Sequence, residues 1–310
     1  MTRHSWRWAA RLSPFVLLVV WATVPTRGQA GRPVSPTSGT SNGEWRTYGG
    51  DLASTRLGLS DALYDRLAGA VDLVVHAGAD VDWVRPYASL RDVNVGGTLE
   101  AIRFASTGRS KEFRFVSSQL VGFVPGGPGV VTEDDEWLPL AHRLPLGYAQ
   151  SKAVAEALVS AAAGRGLQAT IFRPGLIVGD AQTGASNPDD FVAALVKGCI
   201  ELGAAPDLDW TIDAVPVDYV ARAVVHLSGG TDADAGVNRY HLANPRTRHW
   251  RECVLWINLY GYPCPLVPYE EWLLRLDRDS RDPGHAPCAG PAGRSRPVQP
   301  TVELVSGSAL

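Results

Sequence analysis

The chain has 310 residues, of which 45% are hydrophobic and 20% charged, and this is the ordinary composition of a soluble globular protein. Its net charge of −3, with both signs mixed along the chain, gives no electrostatic case for nucleic-acid binding. The four cysteines lie far apart and form no C-x-x-C pair. The sequence therefore predicts free thiols and argues against a metal site and a disulfide framework.

The amino terminus differs in kind from the rest of the chain. Three arginines within the first eleven residues precede an apolar run from Pro14 to Val24, and small residues follow that run. This order predicts a secretory signal over residues 1–31, with a run too short to span a bilayer. The alternative interpretation is a buried strand over residues 15–20 that opens the fold. A linker over residues 32–47, rich in Ser, Thr, Gly and Pro, follows.

Short β-branched runs alternate with longer amphipathic ones through the middle of the chain. Residues 71–75, 112–117 and 169–172 are apolar enough for strands that are buried on both faces. Helices are predicted between them over residues 94–106 and 147–163. This alternation predicts an α/β fold with a Rossmann-like parallel sheet and helices on both faces.

The last third of the chain is predicted to be mostly helical. Pro216 and Asp218 introduce a helix over residues 219–227, because proline fixes the backbone at a helix start and aspartate caps it. Two further helices are predicted over residues 249–260 and 270–276. Together they indicate a small, mostly helical substrate subdomain.

Tyr148 and Lys152 form a Y-x-x-x-K pattern at the start of a predicted helix. Four residues are about one helical turn, so both side chains project from the same face. An ammonium group near a phenol favours the phenolate and lowers a pKa that is normally about 10. Such a phenol can give a proton to a developing alkoxide while a nicotinamide supplies a hydride. If the pattern is taken alone, the alternative is that Tyr148 and Lys152 are an ordinary pair of residues on the surface of a helix.

Ser117 and Ser118 end the strand predicted before that helix, at the edge where open α/β sheets bind their ligands. A hydroxyl group there can hydrogen-bond a substrate carbonyl and stabilise its oxyanion. The alternative, which suits Ser117 best, is that the serines cap the following loop. A strand that ends in serine, followed about 30 residues later by Y-x-x-x-K, is a more specific signal than either part.

Several segments resemble the extended short-chain dehydrogenases, and later ones narrow the resemblance to the thioester reductase domains of carboxylic acid reductases and of peptide or polyketide synthetases. The first set comprises G-D-L at 50–52, H-A-G-A at 76–79, N-V-x-G-T at 94–98, V-S-S at 116–118 and G-Y-A-Q-S-K at 147–152. The second set comprises F-R-P-G at 172–175, G-D-x-x-T-G at 179–184, K-G-C-I-x-L-G at 197–203, D-x-V-P-V-D-Y-V at 213–220, G-Y-P at 261–263 and V-P-Y-E-E-W at 267–272.

The resemblance implies an NADPH-dependent reduction to an aldehyde. The substrate would be an acyl thioester on an acyl or peptidyl carrier protein or on coenzyme A. Tyr148 would be the general acid, Lys152 would tune it and bind the nicotinamide ribose, and Ser118 would polarise the carbonyl. The resemblance also implies a cytoplasmic location, whereas the signal-like amino terminus implies export. The implied cofactor-binding residues are Asp51, Leu52, Ala77, Gly78, Tyr148, Lys152 and Pro174.

The glycine-rich turn of such a fold, T-G-x-x-G-x-x-G, has no counterpart before residue 71. This turn normally follows the first strand and lets the pyrophosphate rest on a helix amino terminus. In its place, residues 1–56 resemble the amino terminus of a secreted quinoprotein dehydrogenase. The sequence therefore predicts that the first β-α-β unit is missing, that residues 71–75 form an exposed sheet edge, and that dinucleotide binding is weak.

Two other functions stay open. One is a non-catalytic, truncated or mosaic reductase fragment that binds no dinucleotide. The other is a sugar-nucleotide epimerase or dehydratase on the same scaffold, which the segments 213–220 and 267–272 disfavour. The predicted organisation is a signal-like leader (1–31), a linker (32–47), a truncated NAD(P)-binding reductase domain (48–280) with a substrate lid at about 200–216 and 245–280, and a disordered tail (281–310).

Overall fold

The computed structural model describes residues 17–20, 57, 59–127, 130–187, 190–228 and 236–281. The chain divides into two compact units. One comprises Met1–Arg173 with Thr231–Tyr240, and the other comprises Pro174–Gly230 with His241–Leu310. Within the described ranges, no helix combines the length and the apolar character that crossing a membrane requires.

Strands and helices alternate along most of the chain. The strands are β1 (Leu17–Val20), β2 (Leu73–His76), β3 (Glu112–Val116), β4 (Ala169–Pro174), β5 (Leu176–Val178), β6 (Ala205–Pro206), β7 (Thr211–Ile212), β8 (Ala214–Pro216), β9 (Val237–Leu242), β10 (Arg248–His249) and β11 (Leu266–Val267). The helices are α1 (Asp61–Ala70), α2 (Tyr87–Arg91), α3 (Gly97–Ser106), α4 (Gly147–Ala163), α5 (Phe191–Leu202), α6 (Val217–Ser228), α7 (Trp250–Leu259) and α8 (Tyr269–Arg281).

A five-stranded sheet in the order β1-β2-β3-β4-β9 forms the centre of the first unit. The pairs β1–β2, β2–β3 and β3–β4 are parallel, with Leu73 opposite Glu112 and Phe113 opposite Ala169. Parallel strands are buried on both faces, which explains why their sequences are nearly continuous apolar runs. The predicted α/β fold with a parallel sheet is confirmed.

The edge of β2 is where the structure corrects the sequence analysis. Residues 71–75 were expected to form an exposed edge, but β1 pairs with β2 from Leu17–Leu73 to Val20–His76. Val74 is only 1% exposed. The apolar run near the amino terminus thus supplies a strand, which was the alternative to a signal, because pairing satisfies the backbone groups that an open edge would leave free. The rest of the predicted leader lies outside the described residues.

Helices α1, α3 and α4 pack their small and aromatic residues into one core with the sheet. Phe104 of α3 and Phe113 and Phe115 of β3 are fully buried in it, and Ala155 of α4 lies against them in the same cluster. Helix α4 begins and ends where the sequence predicts. Its alanine-rich sequence explains this, since alanine favours helix and allows close packing on a strand.

The second unit contains three two-stranded sheets and the helices α5 to α8. Its core surrounds Trp250, which is fully buried and whose indole N–H donates to the Pro206 carbonyl at 2.7 Å. The indole N–H of Trp272 donates to the Ala204 carbonyl at 3.2 Å. Trp250 is therefore a core residue. Helix α8 continues to Arg281, five residues beyond the predicted end at residue 276, and includes the first residue of the predicted tail.

Candidate active site

Lys152 and Val116 join helix α4 to the carboxyl end of β3. The Lys152 ammonium group donates a hydrogen bond to the Val116 carbonyl at 2.6 Å, and Lys152 is 2% exposed. Burial lowers the pKa of Lys152 to about 7, although the nearby Glu156 carboxylate acts in the opposite direction. The contact brings Ser117 and Ser118, which follow β3, to the same sheet edge as the first turns of α4.

The capping alternative holds for Ser118 and not for Ser117, which was its better candidate. Ser118 is the residue that caps, since its Oγ accepts a hydrogen bond from the Leu120 backbone N–H at 3.2 Å. Ser117 is 3% exposed, and its Oγ finds no hydrogen-bond partner among the described residues. A hydroxyl that accepts a hydrogen bond still has its own proton to donate. Ser118 can therefore cap the turn and donate to a substrate carbonyl at the same time.

Tyr148 lies in the first turn of α4 and is half-buried. Burial raises the pKa of Tyr148 above its ordinary value, so the expectation that Lys152 lowers it is wrong. The reason is geometric, because the hydrogen bond described for Lys152 goes to Val116 rather than to the phenol. A phenol with a raised pKa is fully protonated at neutral pH, which is the state that a proton donor needs.

Gly147 fixes where this helix begins. A Cβ atom at residue 147 would lie 2.4 Å from the backbone N of Tyr87 and 2.5 Å from the carbonyl oxygen of Arg85. Real Cβ atoms are not found this close to backbone atoms, so only glycine allows α4 to start here. Tyr148 is consequently held beside the segment that follows β2.

Asn94 links three segments of the site and was named in the sequence only as part of a motif. It is 2% exposed and lies in a π-helical turn, Asp92–Gly96, that leads into α3. Its Oδ1 accepts from the Asp80 backbone N–H at 2.7 Å, and its Nδ2 donates to the Asp80 carbonyl at 3.0 Å and to Ser151 Oγ at 2.9 Å. The Ser151 hydroxyl donates in turn to the Tyr148 carbonyl at 2.7 Å. Helix irregularities of this kind are frequent at functional sites.

His76 is the last residue of strand β2 and is a buried imidazole next to the site. It is 1% exposed, stacks on the Phe115 ring at 5.5 Å, and pairs through Nε2 with Thr98 Oγ1 at 3.0 Å. Burial, and secondarily the positive charge of Lys152, lowers the pKa of His76 to about 3. The imidazole is therefore neutral at physiological pH and acts as a packed, hydrogen-bonded support.

Arg173 anchors the loop that connects β3 to α4. Its guanidinium is buried and pairs with the Glu156 carboxylate, with 2.8 Å between Nη2 and Oε2. The remaining guanidinium donors reach the carbonyl oxygens of Thr132, Glu133 and Asp135 at 2.8 to 3.3 Å. This loop is thereby fixed to β4 as well as to the strand that it follows.

The structure describes some of the other predicted cofactor-binding residues and not the rest. Ala77 and Gly78 follow β2 directly, with Ala77 exposed and Gly78 buried. Pro174 is buried at the end of β4 and is the first residue of the second unit. Asp51 and Leu52 lie outside the described residues. The cofactor-binding role of all of these residues remains a prediction.

The cysteines agree with the prediction where they are described. Cys199 and Cys264 are buried free thiols in the core of the second unit, and Cys253 is a half-buried one. Burial raises the pKa of all three thiols, which makes them poor nucleophiles. Cys288 lies outside the described residues.

Comparison with known proteins identifies related sequences. The sequence profile of the NAD-binding male sterility protein family matches residues 36–224. The large subunit of L-2-aminoadipate reductase from Penicillium chrysogenum is 39% identical over 76% of this chain and 18% of its own length. A linear gramicidin synthase polypeptide from Brevibacillus parabrevis is 39% identical over 79% of this chain and 5% of its own length. The chain thus spans only a small part of these curated relatives.

Solved structures give the same result. The terminal R domain of the myxalamid PKS-NRPS pathway is 38% identical with a TM-score of 0.69, covering 76% of this chain and 59% of that one. The reductase domain of a nonribosomal peptide synthetase from Mycobacterium tuberculosis is 30% identical with a TM-score of 0.62, covering 74% and 59%. The predicted resemblance to this type of reductase domain is confirmed, and the chain belongs to the NAD-binding male sterility protein family.

Proposed function

We propose that this chain carries the catalytic residues of an NADPH-dependent reductase that converts a carrier-bound or coenzyme A-bound acyl thioester to an aldehyde. The observation that supports this most strongly is the convergence of Ser118, Tyr148 and Lys152 at one edge of the sheet, on elements joined by the bond from Lys152 to Val116. The reaction consumes one thioester, one NADPH and one proton, and yields one aldehyde, one thiol and NADP⁺.

The residues fit the nicotinamide end of such a cofactor. The Lys152 ammonium has three N–H donors, of which one is used by Val116, so two can meet the ribose hydroxyls. Bound there, the dihydronicotinamide would supply a hydride to the thioester carbonyl carbon. The family match and the reductase relatives support a nicotinamide dinucleotide, and NADPH is the specific form that we propose.

Ser118 would hydrogen-bond the carbonyl oxygen of the substrate, and Tyr148 would protonate it. The Ser118 proton, oriented by the Leu120 N–H on the same oxygen, donates to the carbonyl and to the alkoxide that develops from it. Tyr148 then gives its phenolic proton to that alkoxide, which forms a hemithioacetal. When the hemithioacetal collapses, the C–S bond breaks and the hydroxyl proton passes to the leaving sulfur. A proton from solvent then restores the Tyr148 phenol, and this is the proton that the overall reaction consumes. Both reagents are cytoplasmic ones, so we propose that compartment for the reaction.

The test is aldehyde formation from hexanoyl-coenzyme A by the intact chain at millimolar NADPH. We expect Tyr148→Phe to lower the rate by ~10²–10⁴-fold, because one positioned acid contributes about that much. Tyr64→Phe is the matched control, since it removes the hydroxyl group of a buried tyrosine in α1 whose ring packs on Phe104 in the core. Equal rates for Tyr148→Phe and the wild type would refute the assignment.

A non-catalytic fragment is the second candidate, favoured by the lack of a T-G-x-x-G-x-x-G turn before residue 71. The backbone N–H groups of that turn hold the pyrophosphate in this fold, so losing them weakens binding by about a thousandfold or more. Isothermal titration with NADPH separates the candidates. Under this second candidate, binding is too weak to measure. A dissociation constant in the low micromolar range would instead show that another part of the chain supplies the cradle.

A further inference from the structure

The Lys152 ammonium group is buried without a carboxylate of its own. Among the residues that the structure describes, none forms an ion pair with it. Its nearest groups are the Val116 carbonyl at 2.6 Å and the face of the Phe115 ring, with 4.3 Å between Nζ and the ring centroid. An aromatic ring attracts a cation through its negative face, and the attraction is stronger where water is excluded.

We infer that Phe115 is a positioning residue whose ring holds the Lys152 ammonium group at the carboxyl end of β3. The inference rests on the proposed function, in which that ammonium binds the nicotinamide ribose. Phe115 itself touches no reacting atom. It acts by stabilising a charged group in a buried place, where burial alone would disfavour the charge.

The charged and titratable groups around Lys152 leave this task to the ring. His76, from β2, is neutral near pH 7 and supplies no negative charge to Lys152. Tyr148, on the same helix, has a raised pKa and is neutral as well. Glu156, also on α4, favours the charged form from a distance, but its carboxylate pairs with Arg173 at 2.8 and 3.1 Å and forms no ion pair with Lys152 among the described residues. The Phe115 ring and the Val116 carbonyl are therefore the groups in contact that favour the charged form.

Phe113 provides a control within the same strand. It lies two residues before Phe115, so its side chain emerges on the same face of β3. Both rings are fully buried in the same core, and His76 contacts both, at 6.2 Å from Phe113 and 5.5 Å from Phe115. In the described structure, the contact with Lys152 is made by Phe115. Phe113→Leu thus reproduces the loss of core volume without the loss of the cation contact.

The chain has only three lysines, Lys111, Lys152 and Lys197, which makes a direct measurement practical. Lysine labelled with ¹³C at the ε-carbon gives three NMR signals, and Lys152→Met assigns the one of interest. Titrating the intact protein with pH reads the pKa of Lys152 without cofactor, substrate or activity. We expect the wild-type signal to titrate near pH 7.

In Phe115→Leu the titration should move down by about 0.4 to 1.5 pH units, which is the ~0.5–2 kcal/mol of a cation–π contact at 1.36 kcal/mol per unit. Phe113→Leu should move it by no more than about a fifth of a unit, and Phe115→Tyr, which keeps a ring, should restore it. If Phe115→Leu does not fold, Phe115→Met removes the ring at closer volume. An unchanged or raised value, or equal shifts in both leucine variants, would overturn the inference.

A kinetic assay distinguishes a failure of this inference from a failure of the proposed function. With hexanoyl-coenzyme A and NADPH, we expect Phe115→Leu to raise the KM for NADPH several-fold more than Phe113→Leu does, with a smaller change in kcat. If the NMR shift appears and no chain makes aldehyde, Phe115 holds Lys152 as inferred and the proposed function fails. If aldehyde forms and the shift is absent, the function stands and the inference fails.

Discussion

Two regions of this protein differ in how completely their polar side chains are hydrogen-bonded. In the second unit, the indole groups of Trp250 and Trp272 each donate to a backbone carbonyl of the same unit, and neither indole N–H is left unpaired. At the carboxyl end of β3, Lys152 uses one of three donors and Ser117 Oγ has no partner among the described residues. Buried polar groups are normally satisfied, so the spare donors of Lys152 and the unpartnered Ser117 hydroxyl are compatible with the ligand site proposed at this edge, although, among the same described residues, Arg248 Nε in the second unit is unpartnered as well.

The largest loss of stability should come from a substitution in the core of the second unit, where the indole N–H groups are paired. Trp250→Ala removes a fully buried ring and the bond to Pro206. We expect the free energy of unfolding to fall by about 3–5 kcal/mol, as for other large-to-small core changes. Urea denaturation followed by tryptophan fluorescence measures it. Leu255→Ala, on the same helix but 55% exposed, is the control and should cost far less.

The next effect concerns pH and the neutral His76. Its pKa is about 3 in the folded protein and about 6.5 when unfolded, so between these values the unfolded chain binds more protons. The free energy of unfolding should therefore rise with pH in this window, by about 1.4 kcal/mol per unit, and fall as the solution is acidified. Denaturant melts at pH 4.5 and 6.5 should differ by about 2 kcal/mol more in the wild type than in His76→Gln, since the unfolded imidazole is already about half deprotonated at pH 6.5. Parallel pH dependences in the two proteins would contradict a buried neutral imidazole.

A moderate effect is expected from Gly147→Ala. The added methyl group collides with the backbone at Tyr87, so helix α4 must shift, at a cost of about 1–3 kcal/mol. Gly164→Ala, at the other end of the same helix, meets nothing closer than 3.6 Å and is the matched control. Thermal unfolding compares the two, and an equally stable Gly147→Ala protein would show that α4 is free to move.

The smallest effect should come from Ser117→Ala. The hydroxyl has no partner among the described residues, so its removal should change the free energy of unfolding by less than about 0.5 kcal/mol. Ser118→Ala, which loses the bond to the Leu120 N–H, should cost about 1 kcal/mol. Chemical denaturation resolves the difference. A larger loss for Ser117→Ala would place an unseen partner at its hydroxyl.

Local pattern was enough to predict some parts of this molecule from the sequence. Helix α4 was predicted residue for residue, because alanines carry the helix and Gly147 marks its start. The strand that ends before Ser117 was likewise evident from its apolar run. The Y-x-x-x-K pair lies on that helix, as its spacing predicts, while the catalytic roles of its two residues stay predictions.

The remaining parts depend on contacts between distant residues, which no local pattern encodes. Asn94 bridges Asp80 and Ser151, and only the assembled sheet brings these three together. The pairing of β1 with β2 likewise joins segments that lie far apart in the sequence. The expected lowering of the pKa of Tyr148 was wrong for the same reason, since spacing along a helix cannot show that Lys152 turns toward Val116.

Arg173 limits how far residues 132–135 of the first unit can move. A guanidinium has five N–H donors, and those of Arg173 are taken up by the Glu156 carboxylate and by the carbonyls of Thr132, Glu133 and Asp135. Residues 132–135 are thus tied to β4 and α4, and moving them away would break their hydrogen bonds to Arg173. If the chain acts on a carrier-bound thioester as proposed, we expect any opening for the carrier to leave these bonds intact and to form at a segment other than residues 132–135.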